Sequence, residues 1–150
     1  MRPESVNAIH RVAREIAFDH LWPDVGICFG LNQAEDAGPG NRGELFHQNG
    51  DFLMLEVVID DVRRSGPGVH SPNRVWGGIQ LAYHTKDRLD AITPRFRLEE
   101  AGNWFSQKTL NGVRFREFVP TGDGRDRGFQ WYSATIAFEF ETQPKELNHG

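Results

Sequence analysis

Residues 129–141 read FQWYSATIAFEFE and form the clearest strand pattern in the chain. Apolar and polar side chains alternate along this stretch, and successive residues of a β-strand point to opposite faces of a sheet. We therefore predict a strand with one face packed in a core and the other face against water or a neighbour. The predicted inward residues are Tyr132, Ala134, Ile136, Phe138 and Phe140, and the predicted outward residues are Ser133, Thr135, Glu139 and Glu141.

Residues 113–119, just before this strand, show a second strand pattern. Pro120 follows, and because proline cannot donate a backbone hydrogen bond to a ladder, we expect the strand to end there. Residues 121–128 read TGDGRDRG. We interpret them as a flexible hairpin connection rather than a phosphate or calcium loop, because they join two strands and lack the aspartate spacing of a calcium loop.

Two more long strand patterns occupy residues 52–61 and 75–84, and we predict that they pair as a hairpin. Residues 63–74 between them contain glycine and proline and are predicted to form an extended tip. A short apolar run at residues 25–29 indicates a further strand. The polar stretch at residues 32–51 is longer than most loops of compact domains, and such loops commonly serve a function or become ordered by a partner.

Two helices are expected. Residues 3–21 carry apolar side chains at spacings of three and four, which predicts an amphipathic helix. Thr93 and Pro94 predict the start of a second helix that would run to about Phe105, because threonine caps helices and proline suits their first turn. Gly102 weakens this second helix, since glycine in a helix costs about 1 kcal/mol relative to alanine.

The elements follow one another as helix, short strand, two long strands, helix and two long strands. This order predicts an α+β fold with a mixed, mainly antiparallel sheet of about four to five strands and two helices packed on one face. A chain of 150 residues suits a single domain. The polar tail at residues 142–150 is expected to fray.

Composition excludes several classes of function. The chain has 17 basic and 21 acidic residues, interleaved, and a net charge of −4. We therefore expect no uniform basic surface and no sequence-specific contact with nucleic acid. Cys28 is the only cysteine, which excludes an intrachain disulfide and suits a reducing compartment. No window approaches the roughly 18 apolar residues of a membrane span, so no membrane partner is expected.

The sequence has no recognisable catalytic motif. It lacks a nucleophile elbow, a phosphate-binding loop, a dinucleotide-binding glycine pattern and a zinc-binding HExxH helix. Asp60 and Asp61 could be combined with His84 as a metal or acid–base group, but consecutive strand residues point to opposite faces, so these carboxylates would not converge. We predict that the chain is not an enzyme and binds no cofactor or metal ion.

Four segments carry a family resemblance. They are residues 74–81 (RVWGGIQL), a helix ending near Trp104, residues 111–115 (NGVRF) and residues 131–140 (WYSATIAFEF). Together with the N-terminal helix and short strand, their order and pattern resemble the tail terminator (tail completion) proteins of long-tailed bacteriophages, over about two thirds of the chain.

The resemblance implies a small α+β subunit that forms a homo-oligomeric ring, a hexamer. Such a ring caps the tail tube, ends its polymerisation and offers its other face to the head-completion (neck) protein. The resemblance also implies a protein without catalysis or cofactor that is found in the virion tail or neck after assembly in the host cytoplasm. DNA would pass through the ring without being read.

Long connections and interleaved charges suit a subunit that meets its neighbours through patches of opposite sign. We predict contacts between subunits, or with the tube, at Arg63, Arg64, Arg74, Arg125, Asp126 and Arg127. Alternatives stay open at this point: another head–tail connector or tube subunit, an interaction module unrelated to phages, or a small-ligand-binding domain. The last would have a pocket between sheet and helices that uses Trp76, Tyr83 or His84.

Overall fold

The computed structural model describes residues 6–29, 50–64, 66–68, 71–86, 89–126 and 128–142. Several sequence predictions fall outside these ranges. They concern the start of the first helix at Pro3, residues 32–49 of the long polar stretch, Arg127, and the tail from residue 143 onwards.

The first helix, α1, spans Val6–His20 and buries one face through Ile9, Ala13 and Ala17. The second helix, α2, spans Ile92–Asn103. Its start differs from the prediction, because Ala91 is the N-cap residue and Asp90, not a threonine, accepts hydrogen bonds from the first turn. The Asp90 Oδ1 atom accepts hydrogen bonds from the backbone N–H groups of residues 92 and 93, both at 3.0 Å. A carboxylate at this position satisfies N–H groups that have no partner within the helix.

Within the described residues, six strands form one sheet. They are β1 (Gly26–Phe29), β2 (Phe52–Arg64), β3 (Asn73–Thr85), β4 (Thr109–Leu110), β5 (Val113–Asp126) and β6 (Phe129–Thr142). Their order across the sheet is β1-β2-β3-β6-β5-β4, and every pairing is antiparallel except that of β1 with β2. The α+β class and the mixed, mainly antiparallel sheet are therefore confirmed, with β4 as an additional strand.

The β2–β3 hairpin is longer than its sequence pattern. Arg63 pairs with Arg74 and Arg64 with Asn73, so the ladder includes two residues at each end of the predicted tip. A register shift between Ile59 and Asp61 marks a β-bulge. Such a bulge admits one extra residue and lets the ladder resume beyond it.

The prediction that Pro120 ends its strand is wrong. β5 continues through Pro120, which pairs with Ala134, and on to Asp126. Among the described residues, β4 pairs with only the first two residues of β5, so the remainder of β5 lies at an edge of the sheet, where proline is tolerated. Two register shifts accommodate the irregular sequence, one on each side of Val119. Most of the predicted flexible connection is therefore strand.

Both helices contribute to one core on the same face of the sheet. This face carries the alternate strand residues predicted to point inward, and β6 follows the prediction at all five positions. The core includes Ile9, Ala13 and Ala17 of α1, Leu98 and Ala101 of α2, and Leu53, Leu55, Ile79, Leu81, Ala134, Ile136 and Phe138 of the strands. We call the opposite face, which carries the intervening strand residues, the open face.

Gly102 has a packing role that the sequence did not reveal. A Cβ atom at this position would overlap Cδ2 of Phe118 and lie 2.7 Å from Cε2 and 2.9 Å from Cγ of the same ring. Helix α2 therefore approaches β5 so closely that only a residue without a side chain fits. The close approach explains why glycine interrupts an otherwise regular helix.

Candidate assembly surface

Charged side chains line one end of the open face in two cross-strand rows. The first row runs Asp61, Trp76, Glu139 and Arg114 across β2, β3, β6 and β5. The second row runs Arg63, Arg74 and Glu141 across β2, β3 and β6. These residues alternate along their strands with core residues, which places them all on the open face. We call this group of seven residues the charged end.

Ion pairs link neighbours within the charged end. Arg63 Nε lies 2.7 Å from Asp61 Oδ2, and Arg74 Nη2 lies 3.4 Å from Glu141 Oε1. Glu139 Oε1 lies 3.7 Å from Arg114 Nη1. It also accepts a 2.8 Å hydrogen bond from Arg116, a β5 residue outside the group. Exposed pairs of this kind contribute only about 0–1 kcal/mol each to folding. Their value for folding stability is small, and the side chains of Arg63 and Arg74 remain 74% and 46% exposed.

The predicted contact residues fall into two separate groups. Arg63 and Arg74 meet at the charged end, and Arg64 lies beside them with its side chain alternating to the helix side. Arg125 and Asp126 lie at the other end of the sheet, where β5 turns into β6. Arg125 donates from Nε to the side chain of Gln130 at 3.1 Å. Arg127, the last of the predicted set, lies outside the described residues.

The two groups are far apart. Arg74 pairs with Glu141 and Arg125 pairs with Gln130, so both groups can be measured along β6. At roughly 3.3 Å per strand residue, the two β6 positions are about 36 Å apart. Arg74 and Arg125 also lie on different faces, since Gln130, the partner of Arg125, shares the parity of the core residues. The structure therefore places the predicted contact residues in two regions rather than at one site.

Sequence reasoning missed the acidic members of the charged end and its β5 arginine, Arg114, as site residues. Glu139 and Glu141 were predicted only to point outward, and Arg114 only to lie on a strand. Their alternation with apolar residues was visible in the sequence. What could not be read was the register that brings Asp61 into one row with Glu139, because a shift of one residue moves a whole strand pattern to the other face.

A polar cleft of about 370 Å³ adjoins the charged end at the β4–β5 turn. Asn111 and Gly112 form this turn with positive φ angles of 51° and 82°. An Asn-Gly pair with both angles positive is typical of a two-residue hairpin turn, and this signal could have predicted β4. The cleft is lined by Gln107, Lys108, Thr109, Arg114, Phe115, Arg116 and Glu117.

A polar and aromatic network lies on the helix side of the sheet. The Tyr83 hydroxyl donates to Asp51 Oδ2 at 2.7 Å and accepts a hydrogen bond from Arg97 Nη1 at 3.0 Å. Arg97 also lies 3.4 Å from Asp24 Oδ2 and 5.5 Å from the centre of the Trp22 ring. Burial raises the pKa of Tyr83, and the hydrogen bond to the carboxylate raises it further. The network joins α2 to the residues that precede β1 and β2.

Of the three residues suggested for a ligand pocket, Tyr83 alone faces the helices. His84 points to the open face and stacks on Phe52 with 4.3 Å between ring centres. Trp76 belongs to the charged end. The polar atoms of Tyr83 are satisfied by protein groups, so its arrangement supports a structural role in the helix-side network.

Among the described residues, no group of three or more histidine, cysteine, aspartate or glutamate side chains is placed to hold a metal ion. None of the helices in these residues has the length and apolar character needed to cross a membrane. Cys28 is buried, as predicted for a strand residue.

Comparison with known proteins identifies a fold but no family. No protein-family model matches the chain, and no curated protein matches it significantly. One of the solved structures that match has a TM-score of 0.56 and 12% sequence identity, and the match covers 89% of this chain and 91% of that one. The name of that protein carries no functional information. At this identity the likeness establishes a shared fold and nothing about activity.

Proposed function

We propose that the chain is a structural subunit of the tail-terminator type, which forms a ring on the tail tube of a long-tailed bacteriophage. The ring would end polymerisation of the tube and join the tail to the head-completion protein. Two features support the proposal. The observed order of helices and strands is the order on which the family resemblance rests, and exposed arginines occur in two separate regions.

The separation of the two arginine regions carries the proposal. A terminator ring has to contact the tube on one side and the neck on the other, while its subunits also contact one another. Arg63 at one end of the sheet and Arg125 at the other lie about 36 Å apart along the strands. A single subunit thus presents basic side chains, suited to carboxylates of other chains, in two directions.

The solution mass of the purified protein tests the proposal. Light scattering over a concentration series, with and without tail tube protein of the same phage, should show conversion of the 17.1 kDa chain into a six-fold assembly. A chain that stays monomeric under all conditions and ignores the tube protein would exclude the terminator function.

A double substitution tests the contact region at the β5–β6 turn. Arg125→Ala combined with Arg127→Ala should weaken assembly with itself or the tube while leaving the monomer folded. Arg11→Ala, on the exposed side of α1, serves as the matched control and should assemble like the wild type. Unchanged assembly of the double variant would remove this region from the contact surface.

A further inference from the structure

We propose that helix α2 packs against α2 of a second copy of this chain, antiparallel and about a two-fold axis that passes near residue 97. The inference goes beyond the proposed function, because α2 contains none of the predicted ring contacts. A two-fold contact closes on itself, so it can join two subunits or two rings. It holds whether or not the larger assembly is a phage ring.

Apolar side chains occur on two opposite sides of α2. The side towards the sheet buries Pro94, Leu98 and Ala101. The outward side carries Ile92 and Phe96, which are 81% and 60% exposed. Surface helices of globular proteins usually carry polar residues opposite the core. Two large apolar residues one turn apart on this side therefore indicate a surface that a partner covers.

The outward residues of α2 have the spacing of a coiled-coil contact. Ile92, Phe96, Glu99 and Asn103 follow one another at intervals of four, three and four, and all of them are exposed. Residues at these intervals lie along one side of a helix. We call these four residues the α2 strip. The strip can lie lengthwise along another helix, with Phe96 near its middle.

The charges of this side are self-complementary. Arg95 lies on the flank of the α2 strip, one turn before Glu99. In an antiparallel pair with its axis near residue 97, the two positions are equidistant from the axis. Arg95 of each copy therefore lies opposite Glu99 of the other. The Phe96 rings of the two copies meet at the axis, between the two ion pairs.

Other arrangements of the two helices lose this match. A parallel pair places Arg95 beside Arg95 and Glu99 beside Glu99, which is repulsive. An antiparallel pair with its axis near residue 94 places Ile92 opposite Phe96 but brings the two copies of Arg95 together. Charge therefore selects both the direction and the register of the pair.

Both charged groups are accessible to a second copy. The Nη2 atom of Arg95 lies 3.8 Å from Asp123 Oδ2, which is long for an ion pair, and the arginine side chain is 64% exposed. Its guanidinium carbon lies 5.1 Å from the centre of the Tyr132 ring. Glu99 is exposed and takes part in no ion pair with the part of the chain that the structure describes. A second carboxylate can therefore approach Arg95 without displacing a short ion pair.

The size of the α2 strip determines the strength of the contact. A helix of 12 residues is about 18 Å long and about 10 Å wide, so the facing strip covers roughly 200 Å² on each copy. Stable specific interfaces bury about 1,200 Å² or more in total. We expect a weak dimer with a dissociation constant on the order of 1 mM. The contact strengthens where a larger assembly holds several copies in place.

Charge substitutions test the direction and register. Arg95→Glu and Glu99→Arg each place like charges opposite each other, so each variant alone should self-associate at least roughly tenfold more weakly than the wild type. An equimolar mixture should recover wild-type association, because every acidic group in the mixed dimer faces a basic one. Translational diffusion measured by NMR at up to about 1 mM protein follows the association of each sample. Arg11→Glu, on the exposed side of α1, is the control for charge and should associate like the wild type.

Truncation of the central ring tests the apolar part of the contact. Phe96→Ala should weaken self-association at least roughly tenfold, because aromatic anchors at the centre of a contact contribute most of its strength. Phe18→Ala is the matched control, since Phe18 is 58% exposed on α1 and lies outside the α2 strip. It should associate like the wild type. Far-UV circular dichroism confirms that each variant is folded.

Several outcomes overturn the inference. These are a wild type whose diffusion does not depend on concentration, single charge variants that associate normally, and a mixture that fails to recover. Equal weakening by Phe18→Ala and Phe96→Ala, or an α2 strip that binds tube protein in place of a second copy, also overturns it. Ring formation together with a failed mixing test overturns the α2 contact alone. A wild type that passes the mixing test but forms no ring overturns the proposed function alone.

Discussion

Replacement of Gly102 by alanine separates two physical effects that act in opposite directions. Helix propensity alone predicts a gain of about 1 kcal/mol in the free energy of unfolding. The structure predicts a loss, because the new Cβ atom would overlap the Phe118 ring and lie within 3 Å of three of its atoms. These atoms include Cγ at the base of the ring, so rotation of the ring about its Cβ–Cγ bond cannot relieve the contact.

The expected magnitude follows from both effects. Forcing a methyl group into a filled site costs about 1–3 kcal/mol, and the propensity gain offsets about 1 kcal/mol of this cost. Gly102→Ala should therefore lower the free energy of unfolding by up to about 2 kcal/mol. In a Phe118→Ala background the ring is absent, and Gly102→Ala should raise the free energy of unfolding by about 1 kcal/mol. The coupling between the two sites is then about 1–3 kcal/mol.

Urea unfolding of the wild type, both single variants and the double variant measures this coupling. The midpoints should shift while the denaturant slopes stay constant, which shows that stability and not compactness has changed. The reasoning is refuted if Gly102→Ala stabilises the wild type by about as much as it stabilises the Phe118→Ala variant. Such additivity would mean that the helix and the ring are not in contact.

Two further predictions concern the strands. Gly77→Ala should lower the free energy of unfolding by up to about 3 kcal/mol, because its Cβ atom would overlap the backbone oxygen of Val58. Gly78→Ala is the matched control with a nearest contact of 3.3 Å, and it should change stability by less than about 1 kcal/mol in thermal unfolding. Tyr83→Phe should cost roughly 1–3 kcal/mol, because the hydroxyl that bonds Asp51 is lost. Because the pKa of Tyr83 is raised in the folded state, its contribution to stability is complete below about pH 10 and is lost as the pH rises further. In urea unfolding between about pH 8 and about pH 11, the free energy of unfolding should therefore fall more steeply for the wild type than for Tyr83→Phe.

Sequence periodicity was sufficient for the parts of the fold where local pattern and tertiary packing agree. The inward residues of β6 and the buried face of α1 followed their predictions, because burial is what produces such alternation. Pro120 misled the prediction of β5, since the effect of proline depends on whether a strand is at the edge of its sheet. Whether a strand lies at the edge depends on the order of strands in the whole sheet and cannot be read from the sequence of that strand alone.

The candidate surface was less accessible to sequence reasoning. The arginines at positions 63, 74 and 125 could be named as exposed, but nothing local indicated that two of them meet and the third lies at the far end. The charged end consists of side chains from four strands, and its composition depends on three registers. The helix-side network joins Trp22 to Glu100 by a hydrogen bond of 2.9 Å between residues that are distant in the chain.

The order of the strands also determines how the chain can fold. Strands β1, β2 and β3 are neighbours in the sheet, and so are β4, β5 and β6. These two three-stranded blocks are joined by the pairing of β3 with β6, which we call the seam. Within this seam Thr85 pairs with Gln130 and Asn73 with Thr142, so each pairing closes a long loop and carries a large entropic cost. Hairpins form within about 10 μs, so both blocks can sample native pairing before the seam closes. Seam closure is thus the natural rate-limiting step, and until it occurs each block exposes an unpaired edge to other unfolded chains.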